Sequence, residues 1–431
     1  HGPNRWSSTV KDRSEAPSHP AASTGRVDPS RQPFESTAIA SEVFAEHVNP
    51  GKVAAFGALG LDLVMGQRSG SRFENLVDGR WLYNCHCNGG VFNLGHRNPA
   101  VIEAVRSALD HLDIGNHHLV SEWRALLAQR LASSTGGTLP GVVFGVGGGE
   151  ANDLALKVAR AHTGRVGVVS ASGGYHGHTG LAMAAGDPEY RDPFGPNPAG
   201  FTQVPFNDLA AMDRAVDDST ACVILEPIPA TLGMPLPEPG YLAGVQRICR
   251  DRGACFILDE VQTGLGRTGT FWYHQQEDLR PDILTTGKGL SGGIFPITAT
   301  LMAAEIHGFF EEHPFVHVST YGGAEIGCVA ALATLDAIEA PGFLARVEEV
   351  GARFEEGFAG LPFEVRRRGM FMGLRFPAEG DALGAAAELI RAGVFAVFAN
   401  NDTSVLQFLP PLTVRDEEVQ DIVSIVRSTF S

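Results

Sequence analysis

The sequence predicts an α/β fold built on a mostly parallel sheet covered by helices, with a smaller α+β domain towards the C-terminal end. Three observations lead there. Short β-rich runs alternate with helix-length amphipathic segments from about residue 142 to 303, and parallel strands need such crossovers. The 431 residues, 44% of them hydrophobic, are enough for a sizeable core divided into two or more domains. Near residue 330 the alternation stops and two long helical patterns begin.

Taken in order, NPAVIEAVRSALDHLD and SEWRALLAQRLASS carry helical patterns within 97–135. The run VVFGVGGG (142–149) is a strand ending in glycines, and it leads into EANDLALKVARAHTG, a helix with apolar positions at 154, 155, 158 and 159. Strands follow at VGVVS (166–170), CVILEP (222–227), CFILDE (255–260) and ITATLMA (297–303), with GYLAGVQRICRDRG (240–253) as one intervening helix. Beyond 330, GCVAALATLDAIE and PGFLARVEEVGARFEEGFAG read as long helices, followed by VRRRGMFMGLRF, a charged helix at 381–392 and a hydrophobic end. These patterns divide the chain into a polar arm at 1–38, a segment at 39–95 contributing to the small domain, a large domain at 96–330 and the small domain at 331–431. The arm, rich in Ser, Pro and Arg, is expected to be disordered, or to be a processed or cloned end.

The formal charge of −16, with no basic run, argues against nucleic acid and anionic membranes as partners. No apolar stretch reaches the roughly 18 residues of a membrane-spanning helix, and the first 38 residues do not form a signal peptide. The six cysteines lack the regular spacing of a disulfide framework, so reduced thiols and a cytoplasmic location are expected.

Ligands of open α/β sheets gather beyond the carboxyl ends of the strands, and five features fall there. GGGEAND opens a helix with unobstructed N–H groups, which is either a phosphate cradle or an ordinary tight turn. SGGYHGHTG offers Tyr175 as a flat surface and His176 as a stacking or proton-handling group. Glu226 and Asp259 end apolar runs; Asp259 suits a protonated ring nitrogen, the alternative being a salt bridge to Arg267. Lys288, between glycines in TTGKGLSGG, becomes a nucleophile if desolvation lowers its pKa. A strand-end acid, a later strand-end amine and a glycine cradle match what pyridoxal phosphate requires. Metal-site spacing of the HExxH kind and a complete P-loop are both missing from the sequence, so no metal is assigned.

From about residue 60 onward the sequence resembles the class-III pyridoxal-phosphate aminotransferases of fold type I, a family that includes ornithine, acetylornithine, putrescine and 4-aminobutyrate aminotransferases. CFILDEVQTGLGRTGTFWYHQQEDLRPDILTTGKGLSGG carries the family's carboxylate, glutamine and lysine in order, and YHGHTG, LEPIPA, HVSTYGG and FLPPLTV add four further matches. The resemblance implies that Lys288 holds the cofactor aldehyde as a Schiff base and moves the proton, and that Asp259 holds the pyridine nitrogen. It implies Val261 and Tyr175 on the two ring faces, with His176 following the stacking residue. Gln262 would sit near the phenolic oxygen, Glu226 on the substrate side, and Gly148 and Gly149 at the phosphate. Thr320 would reach that phosphate from a neighbouring subunit, which implies a homodimer, or a multiple of one, with shared sites. The reaction implied is a ping-pong transfer of an amino group from an amine or amino acid to an oxo acid or aldehyde, passing through the pyridoxamine form. Aminomutases and racemases on the same scaffold are the alternative.

The departures from the family pattern concern cofactor and substrate. Gly147, Gly148 and Gly149 stand where relatives have Ser-Gly-Ser or Ser-Gly-Thr, so the phosphate is expected to rely more on backbone N–H groups. YNCHCNGG replaces an Asp followed later by Ser-Gly, and Ala324 stands where Asn is expected. Cys85, His86 and Cys87 are read as pocket-lining or core residues, because strand neighbours alternate faces. Residues 394–414 hold no Lys or Arg where many relatives clamp a carboxylate. Gln407, Asn400 and Asn401 are therefore expected to meet an uncharged or amine-bearing substrate end, unless Arg72 or Arg267 folds in.

Overall fold

Seven strands form the central sheet, in the spatial order Gly141–Gly145, Thr298–Met302, Ile283–Thr286, Cys255–Asp259, Thr220–Leu225, Gly167–Ala171, Phe201–Val204. This computed structural model describes residues 28–431. Within the sheet only Thr298–Met302 runs against its neighbours; the ladders from Phe201–Val204 across to Ile283–Thr286 are all parallel. The central strands Thr220–Leu225 and Cys255–Asp259 are buried at every position, as strands covered on both faces must be. That accounts for their unbroken apolar runs.

The helices begin where side chains can cap them. Asn98 accepts from the amides of Ala100 and Val101 to start Pro99–Leu109, and Ser121 accepts from Arg124 to start Glu122–Ser134. The helix Gly148–Thr163 starts without a side-chain cap, since Gly147 has none to offer, and stops at Gly164 in the left-handed region.

Beyond the central sheet, four strands pair antiparallel in the order Glu364–Arg368, Phe371–Arg375, Asp402–Phe408, Val397–Ala399. The segment VRRRGMFMGLRF thus forms a hairpin. A third sheet joins the meander Met65–Ser69, Arg72–Asn75, Trp81–Asn84 to the short strand Val394–Phe395. Leu61, Phe73 and Leu82 pack there with Ala387 and Ile390 of the helix Asp381–Ala392.

The chain divides by its contacts into residues 1–58 and 59–431. In the first, described from residue 28, the helices Thr37–His47, N-capped by Ser36, and Pro50–Ala58 follow a turn region. Most of the arm expected at 1–38 lies outside the described residues. Among the described residues no single helix is long and apolar enough to cross a membrane, and all six cysteines are free and buried.

Candidate active site

The carboxyl ends of five strands open onto one cavity of about 630 Å³. Gly148, Gly149, Tyr175, His176, Glu226, Asp259, Val261, Gln262 and Lys288 all line it. Of the catalytic and cofactor-binding residues picked from sequence, only Thr320 lies elsewhere, on an exposed stretch of chain.

Asp259 ends its strand and is almost fully buried. Its Oδ2 accepts from His176 Nδ1 at 2.8 Å and from Asn152 Nδ2 at 2.7 Å, and its Oδ1 accepts from the Val261 amide at 3.1 Å. Burial alone would raise this carboxyl's pKa, but the hydrogen bond and charge of His176, then Lys288 and the Val261 amide, hold it below the ordinary range. His176 is affected the opposite way: burial opposes its charge, yet Asp259 leaves the imidazole pKa raised. The salt bridge to Arg267 considered from sequence is not formed. Arg267 is buried elsewhere, donating to the carbonyls of Met370 and Pro410, and burial brings its pKa down to about 10.

Asn152 was not singled out in the sequence, although it directs this cluster. Its Oδ1 accepts from Thr285 Oγ1 at 2.8 Å, which fixes the amide so that Nδ2 faces both Asp259 and the His176 carbonyl. The signal was available: Asn152 shares a helix stripe with Ala155, Leu156 and Ala159, and a buried amide among apolar residues needs partners.

Glu226 follows its strand and accepts from the Tyr175 amide at 2.8 Å. Burial, reinforced by Asp259, pushes its pKa up to about 7 against the pull of His176, Tyr175 N–H and Lys288. Two carboxyls in one cavity are therefore driven apart. Lys288 stands at φ +43°, in the left-handed region where a lysine is strained. Burial lowers its pKa, while Asp259 and Glu226 oppose the shift.

The turn of residues 87–90 presses on this lysine. Cys87, Asn88, Gly89 and Gly90 all have positive φ, and a β-carbon on Gly89 would stand 3.3 Å from Lys288 Cε. Asn84 Oδ1 holds the turn by accepting from the Cys87 amide at 2.7 Å. Asn88 lines the cavity and belongs to the few residue types that tolerate this conformation. Cys85 and Cys87 are fully buried; burial pushes the Cys87 thiol up to about 12, against the opposing charge of Arg267.

A second, smaller cavity shares Tyr175, His176 and Gly177 with the first and is also lined by Asn400, Asn401, Asp187 and Tyr190. Gln407 lines neither cavity; it is buried in its strand, which corrects the expectation that it meets substrate. Arg72 is likewise placed away from both, over the Tyr83 ring and 3.5 Å from Asp421. Among the described residues, Lys288 is the only lysine or arginine lining either cavity.

The residues fit pyridoxal phosphate. Gln262 Nε2 and His176 Nε2 are buried polar atoms without a protein partner. In the turn after Val146, a β-carbon on Gly149 would stand 2.5 Å from Thr179 Oγ1. At Gly148 it would stand 3.2 Å from Val261 Cγ1. That leaves N–H groups at the N-terminus of a sixteen-residue helix open to an anion.

The family description "Aminotransferase class-III" matches residues 58–430. An uncharacterized aminotransferase of Archaeoglobus fulgidus is 50% identical over 387 residues, 88% of this chain and 91% of that protein. The ornithine aminotransferase of Toxoplasma gondii ME49 superposes with a TM-score of 0.84 at 25% identity, over 92% of this chain and 95% of that one. An (S)-enantioselective omega-transaminase from Thermomicrobium roseum gives a TM-score of 0.81 at 26% identity, over 92% and 98%. The chain belongs to the class-III aminotransferases: it is a fold type I, pyridoxal-phosphate-dependent enzyme that transfers amino groups in two half-reactions.

Proposed function

We propose that Lys288 is the amine that carries the cofactor and shuttles the substrate proton, and that Asp259 is the anion that keeps the cofactor ring electron-withdrawing. Pyridoxal phosphate supplies the aldehyde and the electron-accepting ring. The observation that carries this reading is the arrangement around Asp259. Two donors occupy Oδ2 and one occupies Oδ1, so the carboxylate stays charged and keeps acceptor capacity on the cavity side. Burial leaves a larger share of Lys288 unprotonated at neutral pH than an exposed lysine would have. Gln262 Nε2 suits the phenolic oxygen, Val261 and Tyr175 the ring faces, and the amides of Gly148 and Gly149 the phosphate. Glu226, kept largely neutral below about pH 7, faces the substrate.

The active form on this reading is a homodimer in which Thr320 of one subunit completes the phosphate site of the other. Thr320 is supported by its setting: Phe315, Val316, Val318 and Tyr321 flank it as exposed apolar side chains, the kind of surface a second subunit covers. The substrates are small amines and oxo compounds, and at least one of them enters with a distal end that is not a carboxylate. The enzyme is placed in the cytoplasm, in keeping with six unpaired buried thiols. The domain reading keeps 96–330 as the cofactor domain, with 39–95 and 331–431 as the smaller one.

Borohydride reduction of the holoenzyme followed by peptide mass mapping tests the central assignment. The pyridoxyl group is expected on Lys288, and Lys288→Ala is expected to lose nearly all turnover. A label on any other lysine refutes it.

A further inference from the structure

The triglycine turn leaves the phosphate without a side-chain donor from the turn itself, and one of its nearby amides is already engaged. Val146 N donates to Glu150 Oε2 at 2.7 Å. Among the described residues, two Ser or Thr hydroxyls line the cavity, those of Ser291 and Thr298. Ser291 is committed: its hydroxyl donates to the Phe295 carbonyl and accepts from the Phe295 amide. Thr298 is not. Among the described residues, the one hydrogen bond of its Oγ1 runs to the Gly147 carbonyl at 3.4 Å, near the limit of such a bond.

The position of Thr298 follows from the reversed strand. Its register partner is Gly145, the last residue of the strand that feeds the glycine turn. The methyl faces Gly287, immediately before Lys288: a β-carbon there would stand 2.7 Å from Thr298 Cγ2. The hydroxyl is directed instead to Gly145 and Gly147, and the residue is only 2% exposed. A buried hydroxyl with so long a bond is poorly satisfied, and turning it into the cavity towards an anionic oxygen gives it a far better acceptor.

We propose that Thr298 is a cofactor-binding residue whose hydroxyl donates to the phosphate from the same subunit, making up for the hydroxyls missing at Gly147 and Gly149. This rests on the reading that Gly148 and Gly149 cradle that phosphate. Hydrogen bonds to charged groups contribute enough that losing one weakens binding about tenfold or more.

The test measures the affinity of apoenzyme for pyridoxal phosphate and for pyridoxal, which has the aldehyde but no phosphate, by absorbance titration. Thr298→Val, of nearly the same shape, is expected to raise the Kd for pyridoxal phosphate about tenfold or more while leaving pyridoxal within twofold. Thr298→Ser is expected to stay near the parent, and Thr298→Ala to repeat the loss should valine disturb the strand. Unchanged affinity for pyridoxal phosphate in both the Val and Ala variants overturns the proposal. So does an equal loss for the two aldehydes, which would mark a packing role. A parent enzyme that binds both aldehydes alike overturns the cradle beneath it.

Discussion

The two ends of the cavity are built differently. At the Asp259 end a connected set of hydrogen bonds of 2.7–2.8 Å runs from Thr285 through Asn152 and His176 to the carboxylate. At the other end lie bare glycines and a weakly bonded Thr298. The difference teaches where rigidity is needed. A charged group that must remain charged while buried requires fixed donors before any ligand arrives. A phosphate brings its own charge and acceptors, and can be met by amides and hydroxyls from several segments.

Breaking the ordered end should have the largest effect. Asp259→Asn is expected to leave the fold intact and slow the half-reaction with an amine donor on the order of 10²–10³-fold, as removal of a preorganised electrostatic group does. Asn152→Leu should slow it less, by about tenfold, because it frees Asp259 to move without removing its charge. Stopped-flow bleaching of the bound cofactor measures both. Rates within threefold of the parent for Asp259→Asn would make the carboxylate structural.

The substrate wall offers the second contrast, since among the described residues no arginine lines either cavity. An unpaired carboxylate there would meet Glu226, Asp187 and Asp259. Amines should therefore exceed their carboxylated analogues in kcat/KM by about tenfold, the scale of one unfavourable pairing. A panel in which every carboxylated analogue wins by that margin would place a clamp outside these residues.

On the proposed reading Thr320 reaches the open end from a second subunit, and its loss should be milder. Thr320→Ala is expected to weaken cofactor binding several-fold, in line with one exposed donor to phosphate. Mixing Thr320→Ala chains with Lys288→Ala chains sharpens the point. In such a heterodimer one site carries neither substitution and should regain parental cofactor affinity and turnover. Absence of recovery after demonstrated exchange of subunits would confine Thr320 to its own chain.

The same asymmetry governs what the sequence revealed. Asp259, Glu226 and Lys288 were legible because each ends an apolar run at a predictable face of the sheet. Asn152 was hidden because its partners His176, Asp259 and Thr285 lie 24, 107 and 133 residues away. Thr298 was read only as part of a strand, since its meaning depends on the reversed pairing that sets it beside Gly145. Gln407 misled for the converse reason: its position in the motif suggested the substrate, but its strand turns the side chain away from both cavities. Motif order gives the strand ends, whereas cross-sheet neighbours need register.

The smallest effect is one of pH, and it separates two carboxyls of the same cavity by sign. Asp259 has a lowered folded-state pKa, so its contribution to stability is present above its unfolded value and is lost as pH falls through the folded one. Glu226 has a folded-state pKa of about 7, above the 4.5 of an ordinary glutamate. Between those values the native state holds a proton that the unfolded chain has released. Stability therefore falls as pH rises through this window and levels off above about 7. Glu226→Gln removes the titration while keeping an oxygen to accept from the Tyr175 amide. Its Tm relative to the parent should rise between pH 5 and pH 8 by about one degree for each 1 kcal/mol, the conversion for a protein of this size. A difference that stays flat, or falls, would mean that Glu226 is already ionised at pH 5, paired with the protonated His176 or Lys288.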